Sequence, residues 1–489
     1  MQQIKNYTPD AAFKTDRDST PLLFQDLGSR KIEADFTGGH LSTDGGALLL
    51  RMLDRGLGIM RGLAACFQDA RNPKLIEHGL EELLTQRVYG LALGYEDLND
   101  HQDLRRDPLL AVCAGKADPL GAERAERDRG NALAAPSTLN RLELGNEKQS
   151  RGHKISHDPA AIQALLLRSG VRCLPRDLRE VILDFDASDH PLHGRQEGRF
   201  FHGYYGNYCY LPLYCFAGDI PLWAQLRTAG RDGSDGTVEA MAEIVAEVRR
   251  RLPGARIIVR GDSGFCREAI MAWCEANNVG YVLGLARNAR LEALLAPAMA
   301  EARALHCLCG GSASRVFAEL RYRTLDSWSC ERRAVGKAEV TALGSNPRFI
   351  VTNMAAEAAL PEDGGRFAAR PLYEDVFCGR GEMENQIKQM HLDLHAGRMS
   401  THHLGSNQLR LWLSAFAFLL LERLRTLGLA GTALAQATLG SVRLRILKVA
   451  AQVTVSVRRV HVRLASACPL QALFRLCHAR LASLPATAS

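Results

Sequence analysis

The chain has 489 residues, 46% of them apolar and 24% charged, which excludes a disordered polymer and fits a soluble globular protein of more than one domain. Its 13 cysteines follow no regular spacing, so no disulfide framework is read and the thiols read as reduced, buried ones of a cytoplasmic protein. Net charge is +7, yet residues 401–489 hold eleven Lys or Arg against one acid, Glu422, and the preceding residues sum to −3; such a basic region suits either a phosphate backbone or a merely solvated surface.

The opening Met1-Gln2-Gln3-Ile4-Lys5-Asn6 lacks the apolar core of a signal peptide. Residues 1–35 are polar and read as a flexible segment, and residues 36–178 as a helical N-terminal domain, a common way to hold DNA and equally often plain scaffold. One helix starts near Gly45-Gly46-Ala47-Leu48. A second carries Ile76, Leu80, Leu83, Leu84 and Val88 at three-and-four spacing. A short helix opens at Pro136, with Ser137 or Thr138 as its cap.

Residues 179–290 read as β-β-β-α-β-α-β, with strands at 181–186, 204–216 and 222–227, a helix ended by Pro253-Gly254, a strand at 256–260, a helix at 267–277 and a strand at 281–285. Three antiparallel strands followed by alternating units predict an α/β fold with a mixed sheet. Residues 291–372 break that rhythm with strands at 315–324, 331–340 and 348–352, a β-rich insertion. Helical signals return from about 380 to 427, within a segment bounded at 373–430. The apolar run 411–421, flanked by Arg410 and Glu422-Arg423, is too short to cross a bilayer and reads as a buried helix. The basic C-terminal region, 431–489, combines an alternating run at 453–462 with a closing helix.

The nearest approach to a zinc pattern is Cys307-Leu308-Cys309, with His306 and Cys330; one residue rather than two separates the thiols, which disfavours a zinc site. Three acids carry more. Asp186 ends an apolar strand that also holds Asp184. Asp262 follows the strand 256–260 in Gly261-Asp262-Ser263-Gly264. Glu384 lies in a helix with Arg380 and Lys388 at four-residue spacing. Two carboxylates ending strands and one on a helix can share hard cations. Asp262 also reads as a simple helix cap, and the Arg380–Glu384–Lys388 row as surface ion pairs.

Taken together, these segments resemble the DDE transposases of bacterial insertion sequences, with a ribonuclease-H-like catalytic core. The resemblance rests on Leu183-Asp184-Phe185-Asp186-Ala187-Ser188, His193-Gly194-Arg195-Gln196-Glu197-Gly198, Tyr208-Cys209-Tyr210-Leu211-Pro212-Leu213, Leu226-Arg227, Arg260-Gly261-Asp262-Ser263-Gly264-Phe265, Tyr281-Val282-Leu283-Gly284, Thr352-Asn353 and the helix 380–388. Asp35-Phe36-Thr37-Gly38-Gly39 and Ser42-Thr43-Asp44-Gly45-Gly46 match the family's opening. The 76 residues from Asp186 to Asp262 fit the bare fold, and the 122 from Asp262 to Glu384 fit a branch with a β-rich insertion before the catalytic helix. The chain departs from the signature at Phe377, where the family has tyrosine, and at His391, where it has lysine.

The resemblance implies two Mg²⁺ ions, with Mn²⁺ as a substitute, held by Asp186, Asp262 and Glu384. It implies cleavage at terminal inverted repeats, then strand transfer into target DNA by the freed 3′-OH. Arg380, Lys388, Arg458, Arg459 and Arg463 are the expected DNA contacts. The partners implied are transposon-end and target DNA and a second copy of the chain in the synaptic complex, with no membrane, in the cytoplasm at the nucleoid. A structure-specific nuclease on the same core, or a non-enzymatic DNA-binding protein, would share much of this pattern. Of the two acids on the first strand, Asp186 is favoured because it lies nearer the strand end; Asp184 and Asp186 face the same side.

Overall fold

The computed structural model of the chain describes residues 21–147, 150, 152–356 and 364–484. Of the expected flexible N-terminal segment, residues 1–20 lie outside the described residues. The rest begins with a hairpin, β1 (Leu22–Leu27) and β2 (Arg30–Ala34), followed by the short strand β3 (Leu41–Ser42). The N-terminal helices include α1 (Ala47–Leu57), α2 (Leu80–Leu93) and α3 (Pro159–Cys173). The short helix Pro136–Glu143 is not capped by Ser137 or Thr138: its N-cap is Ala135 and Pro136 takes the first helical position, where a missing N–H costs nothing.

A large mixed sheet then forms. Its strands are β4 (Glu180–Ala187), β5 (Leu213–Ala217), β6 (Ile220–Gln225), β7 (Arg256–Gly261), β8 (Gly280–Leu285), β9 (Ser314–Tyr322), β10 (Arg332–Thr341) and β11 (Arg348–Thr352). They lie in the order β6-β5-β4-β7-β8-β11-β10-β9, with Gly344–Ser345 paired to β10. β4 pairs antiparallel with β5 and parallel with β7, and β7 runs parallel to β8. The helices α4 (Thr237–Arg251) and α5 (Glu268–Ala276) supply the two crossovers, as parallel pairing requires.

The strand expected at 204–216 is two strands. Leu211-Pro212 separates β5 from the outer strand Asn207–Tyr210, because proline donates no ladder hydrogen bond. Outside the main sheet, Phe200–His202 and His190–Pro191 flank Asn207–Tyr210 in a small three-stranded sheet. The strands of the expected insertion extend the main sheet: β11 pairs antiparallel with β8, β10 with β11, and β9 with β10. The segment also holds a 20-residue helix, α6 (Ala289–Leu308), with Pro297 inside it.

The chain closes with α7 (Gly381–Asp393), α8 (Leu404–Arg423), the hairpin β12 (Ala451–Ser456) and β13 (Arg459–Leu464), and α9 (Gln471–Ala482). α8 is buried from Leu411 to Glu422 on every side and packs on α2, α3 and β6. A single apolar cluster therefore runs from Ala47 to Leu481, and the N-terminal helices share the core of the sheet through α8. No described helix is long and apolar enough to cross a membrane.

Segments far apart in the chain, 41–46 and 447–452, meet. β3 pairs with β12, and the Gly45 and Gly46 amides donate to the carbonyls of Val449 and Leu447. Lys448 pairs with the buried Asp44 at 2.7 Å, and the Tyr95 hydroxyl donates to the same carboxylate.

Candidate active site

The register of β4 and β7 places the acids. Arg260 sits opposite Asp184 in the parallel ladder. Two residues on, each strand reaches the same end of the sheet with Asp186 and Asp262. The side chains of a strand alternate, so Asp184 and Asp186 share a side, yet their surroundings differ. Asp184 is 2% exposed and accepts from Nε and Nη2 of the Arg260 guanidinium, at 2.5 and 2.7 Å. Burial raises its carboxyl and the Arg260 bonds oppose that rise. Arg260 also donates to the Val376 carbonyl, tying β7 to the wide helical turn Leu372–Phe377 that leads into α7.

Asp186 faces the other two acids. Burial pushes its carboxyl up to about 6; Arg380 opposes this, while Asp262 and Glu384 add to it. Arg380 lies 3.6 Å from Asp186 and 2.7 Å from Glu384, one guanidinium between two carboxylates. Asp262 accepts from the Gly264 amide at 2.8 Å and caps a single helical turn, Ser263–Phe265. It is thus a cap, and it is also near enough to Asp186 to raise its pKa. Gly284 on β8 permits this turn: a Cβ there would stand 2.7 Å from the Ser263 nitrogen.

Glu384 lies in the first turn of α7. α7 is held along its length. Gln386 donates to Asp219 in the β5–β6 turn, and Arg425 donates to the other Asp219 oxygen at 2.8 Å. His391 meets His190 at 2.9 Å between their Nε2 atoms, and the Tyr214 hydroxyl lies 2.9 Å from that same His190 nitrogen. His391, half-buried, is therefore a helix anchor here. Lys388 is exposed one turn beyond Glu384.

Arg458, Arg459 and Arg463 are exposed on the β12–β13 hairpin, far along the chain from the acids. Cys307, Cys309 and Cys330 are exposed, and the His306 Nδ1 lies 2.7 Å from the Ser312 carbonyl oxygen. Among the described residues no group of three or more His, Cys, Asp or Glu forms an array that could hold a metal ion as it stands. The expectation of buried thiols fails at Cys307, Cys309, Cys330 and Cys378, which are exposed. At the three acids, Asp186 and Glu384 are drawn onto Arg380. Their donor chemistry nevertheless fits a hard cation, since all the donors are carboxylate oxygens, and Asp186 is raised by burial first, with Asp262 and Glu384 adding to it. Sequence reasoning quoted Arg260 and Gly284 within motifs without giving either a role, and it missed the His190–His391 contact; all three roles depend on pairings between distant segments.

Fold and site together define a mixed α/β protein with acidic residues gathered at one end of its sheet. The family model of the transposase DDE domain, group 1, matches residues 24–486, and the chain belongs to that family. No curated protein matches it.

Proposed function

We propose that the chain is the transposase of an insertion sequence, with a ribonuclease-H-like core in which Asp186, Asp262 and Glu384 form the catalytic carboxylate set. The observation that carries this reading is the shared sheet end. Three antiparallel strands, β4, β5 and β6, and the parallel β7 and β8 bring Asp186 and Asp262 together, and Arg380 links Glu384 to Asp186.

Asp186, Asp262 and Glu384 would hold divalent cations, Mg²⁺ or Mn²⁺. Once bound, these supply Lewis-acid activation of the attacking oxygen and stabilisation of the leaving one. The rest falls to the protein. The Arg260–Asp184 pair fixes β4 against β7 and the turn before α7. Asp219 and His190 hold α7, and so Glu384, against the sheet. Arg380 and Lys388 offer positive charge to the phosphates. In the first step water attacks the phosphorus at the transposon end, its P–O3′ bond breaks, and a 3′-OH is released. In the second, that 3′-OH attacks a target phosphodiester; a new P–O bond forms and a target 3′-OH leaves.

Exposed Arg458, Arg459 and Arg463 would bind terminal inverted repeats, and pairing two ends calls for a homodimer. The test is strand transfer: end DNA with a free 3′-OH, mixed with supercoiled plasmid and Mg²⁺, should yield joined products. Cleavage of end DNA without any joining would replace this reading with the nuclease.

A further inference from the structure

Four of the six exposed large aromatic side chains among the described residues lie within nine positions of one another: Phe200, Phe201, Tyr204 and Tyr208. They stand on the small sheet that projects between β4 and β5. Phe201 and Tyr208 are cross-strand partners on one face, their rings 5.5 Å apart and edge-on. The Arg199 guanidinium lies over the Tyr208 ring at 4.5 Å. Tyr204 is 87% exposed at the hairpin tip, and its ring meets Tyr205 at 5.0 Å. The Tyr205 hydroxyl donates to the carbonyl of Ala187 at 3.4 Å, one residue beyond Asp186. The aromatic face thus begins where the acidic site ends.

Positive charge is local to the rings. His193, Arg195 and Arg199 are exposed, and Arg199 is the one stacked on the aromatic face; the segment's two acids lie off that stack, Asp189 accepting from Asn207 and Glu197 from the Leu404 amide. Aromatic rings interleaved with arginine stack on bases and meet the phosphates between them.

We infer that Phe201, Tyr204 and Tyr208, with Arg199, form a stacking platform for unpaired DNA bases next to the scissile phosphate. This rests on the reading that the chain handles DNA. Cleaving and joining strands leaves unpaired nucleotides at the site, and a base-stacking surface holds them without reading their sequence.

The test compares binding of an oligothymidine strand and of a duplex of equal length, by fluorescence anisotropy, for the full chain and its F201A/Y204A/Y208A variant. The platform predicts a loss of about tenfold or more on the single strand and less than about twofold on the duplex. Restoring aromatic rings as Phe201→Tyr, Tyr204→Phe and Tyr208→Phe should restore single-strand binding. Equal loss on both DNAs, or no loss on either, overturns the inference. So does a variant that alters self-association of the chain but keeps its oligothymidine affinity, which would assign the face to a second copy. A wild-type chain that binds duplex and not oligothymidine sinks the platform and spares the DNA reading; one that binds neither sinks both.

Discussion

Replacing Asp184 and Asp186 separately with asparagine should move stability in opposite directions. Asp184→Asn leaves the Arg260 guanidinium buried without its counter-charge, a loss of about 3–5 kcal/mol. Asp186→Asn removes a carboxyl whose pKa has moved from 3.8 to about 6. A raised carboxyl binds its proton more tightly in the folded state. Its stability contribution is complete below pH 3.8 and is lost as pH rises through about 6. At pH 8 the ionised carboxylate therefore costs up to about 3 kcal/mol at 1.36 kcal/mol per pH unit, an upper bound since water reaches part of the side chain. Unfolding entropy near 2.1 cal/mol/K per residue makes 1 kcal/mol worth roughly 1 °C in a chain of 489 residues. Thermal unfolding at pH 8 without divalent ions should show Asp184→Asn roughly 3–5 °C below wild type and Asp186→Asn up to about 3 °C above it. Near pH 4 the advantage of Asp186→Asn should shrink towards zero. Millimolar Mg²⁺ should raise the wild-type midpoint and leave that of Asp186→Asn nearly unmoved. If Asp186→Asn is as destabilised as Asp184→Asn at pH 8, the division of roles on β4 is refuted.

Gly284→Ala should cut DNA cleavage at least about tenfold while end binding stays near wild type, because the added Cβ meets the Asp262 turn backbone at 2.7 Å; cleavage at the wild-type rate would show that the turn can shift freely. Gly46→Ala would bring a Cβ within 2.1 Å of the Ile446 carbonyl oxygen; a stability loss of about 2 kcal/mol, read as a thermal midpoint lowered by roughly 2 °C, is expected from the parting of residues 45–46 from residues 447–449. Replacing Arg458, Arg459 and Arg463 with Gln should weaken end binding and flatten its salt dependence by about one unit of slope per lost phosphate contact; an unchanged slope would make the hairpin surface only.

What could be read from the sequence was local. The apolar runs leading to Asp186 and Asp262 matched β4 and β7 nearly to the residue, apolar spacing matched α4, and the helix placed at 267–277 matched α5. The signals that failed were weak or long-range. α6 is rich in alanine, weakly amphipathic and interrupted by Pro297, so its helical period was hidden beside the strong strand pattern of β9–β11. The alternating run at 453–462 is a hairpin turning at Val457-Arg458, because alternation persists through a tight turn. That β9–β11 extend the main sheet depends on β11 finding the open edge of β8, a pairing between distant segments. At the site, the acids were visible as residue types in apolar surroundings. Their division into an Arg260-paired Asp184 and an Asp186 facing Asp262 and Glu384 was not, since it follows from a register no single segment encodes.

The central claim is that Asp186, Asp262 and Glu384 act as one site on DNA. The most direct measurement is Mg²⁺-dependent nicking of labelled DNA carrying the ends of the element that encodes the chain, by wild type, Asp186→Asn, Asp262→Ala and Glu384→Gln. The account predicts nicking by wild type with Mg²⁺ or Mn²⁺, none with chelator, and none by any of the three variants, each of which still binds the end. Nicking at the wild-type rate by any one variant would contradict it.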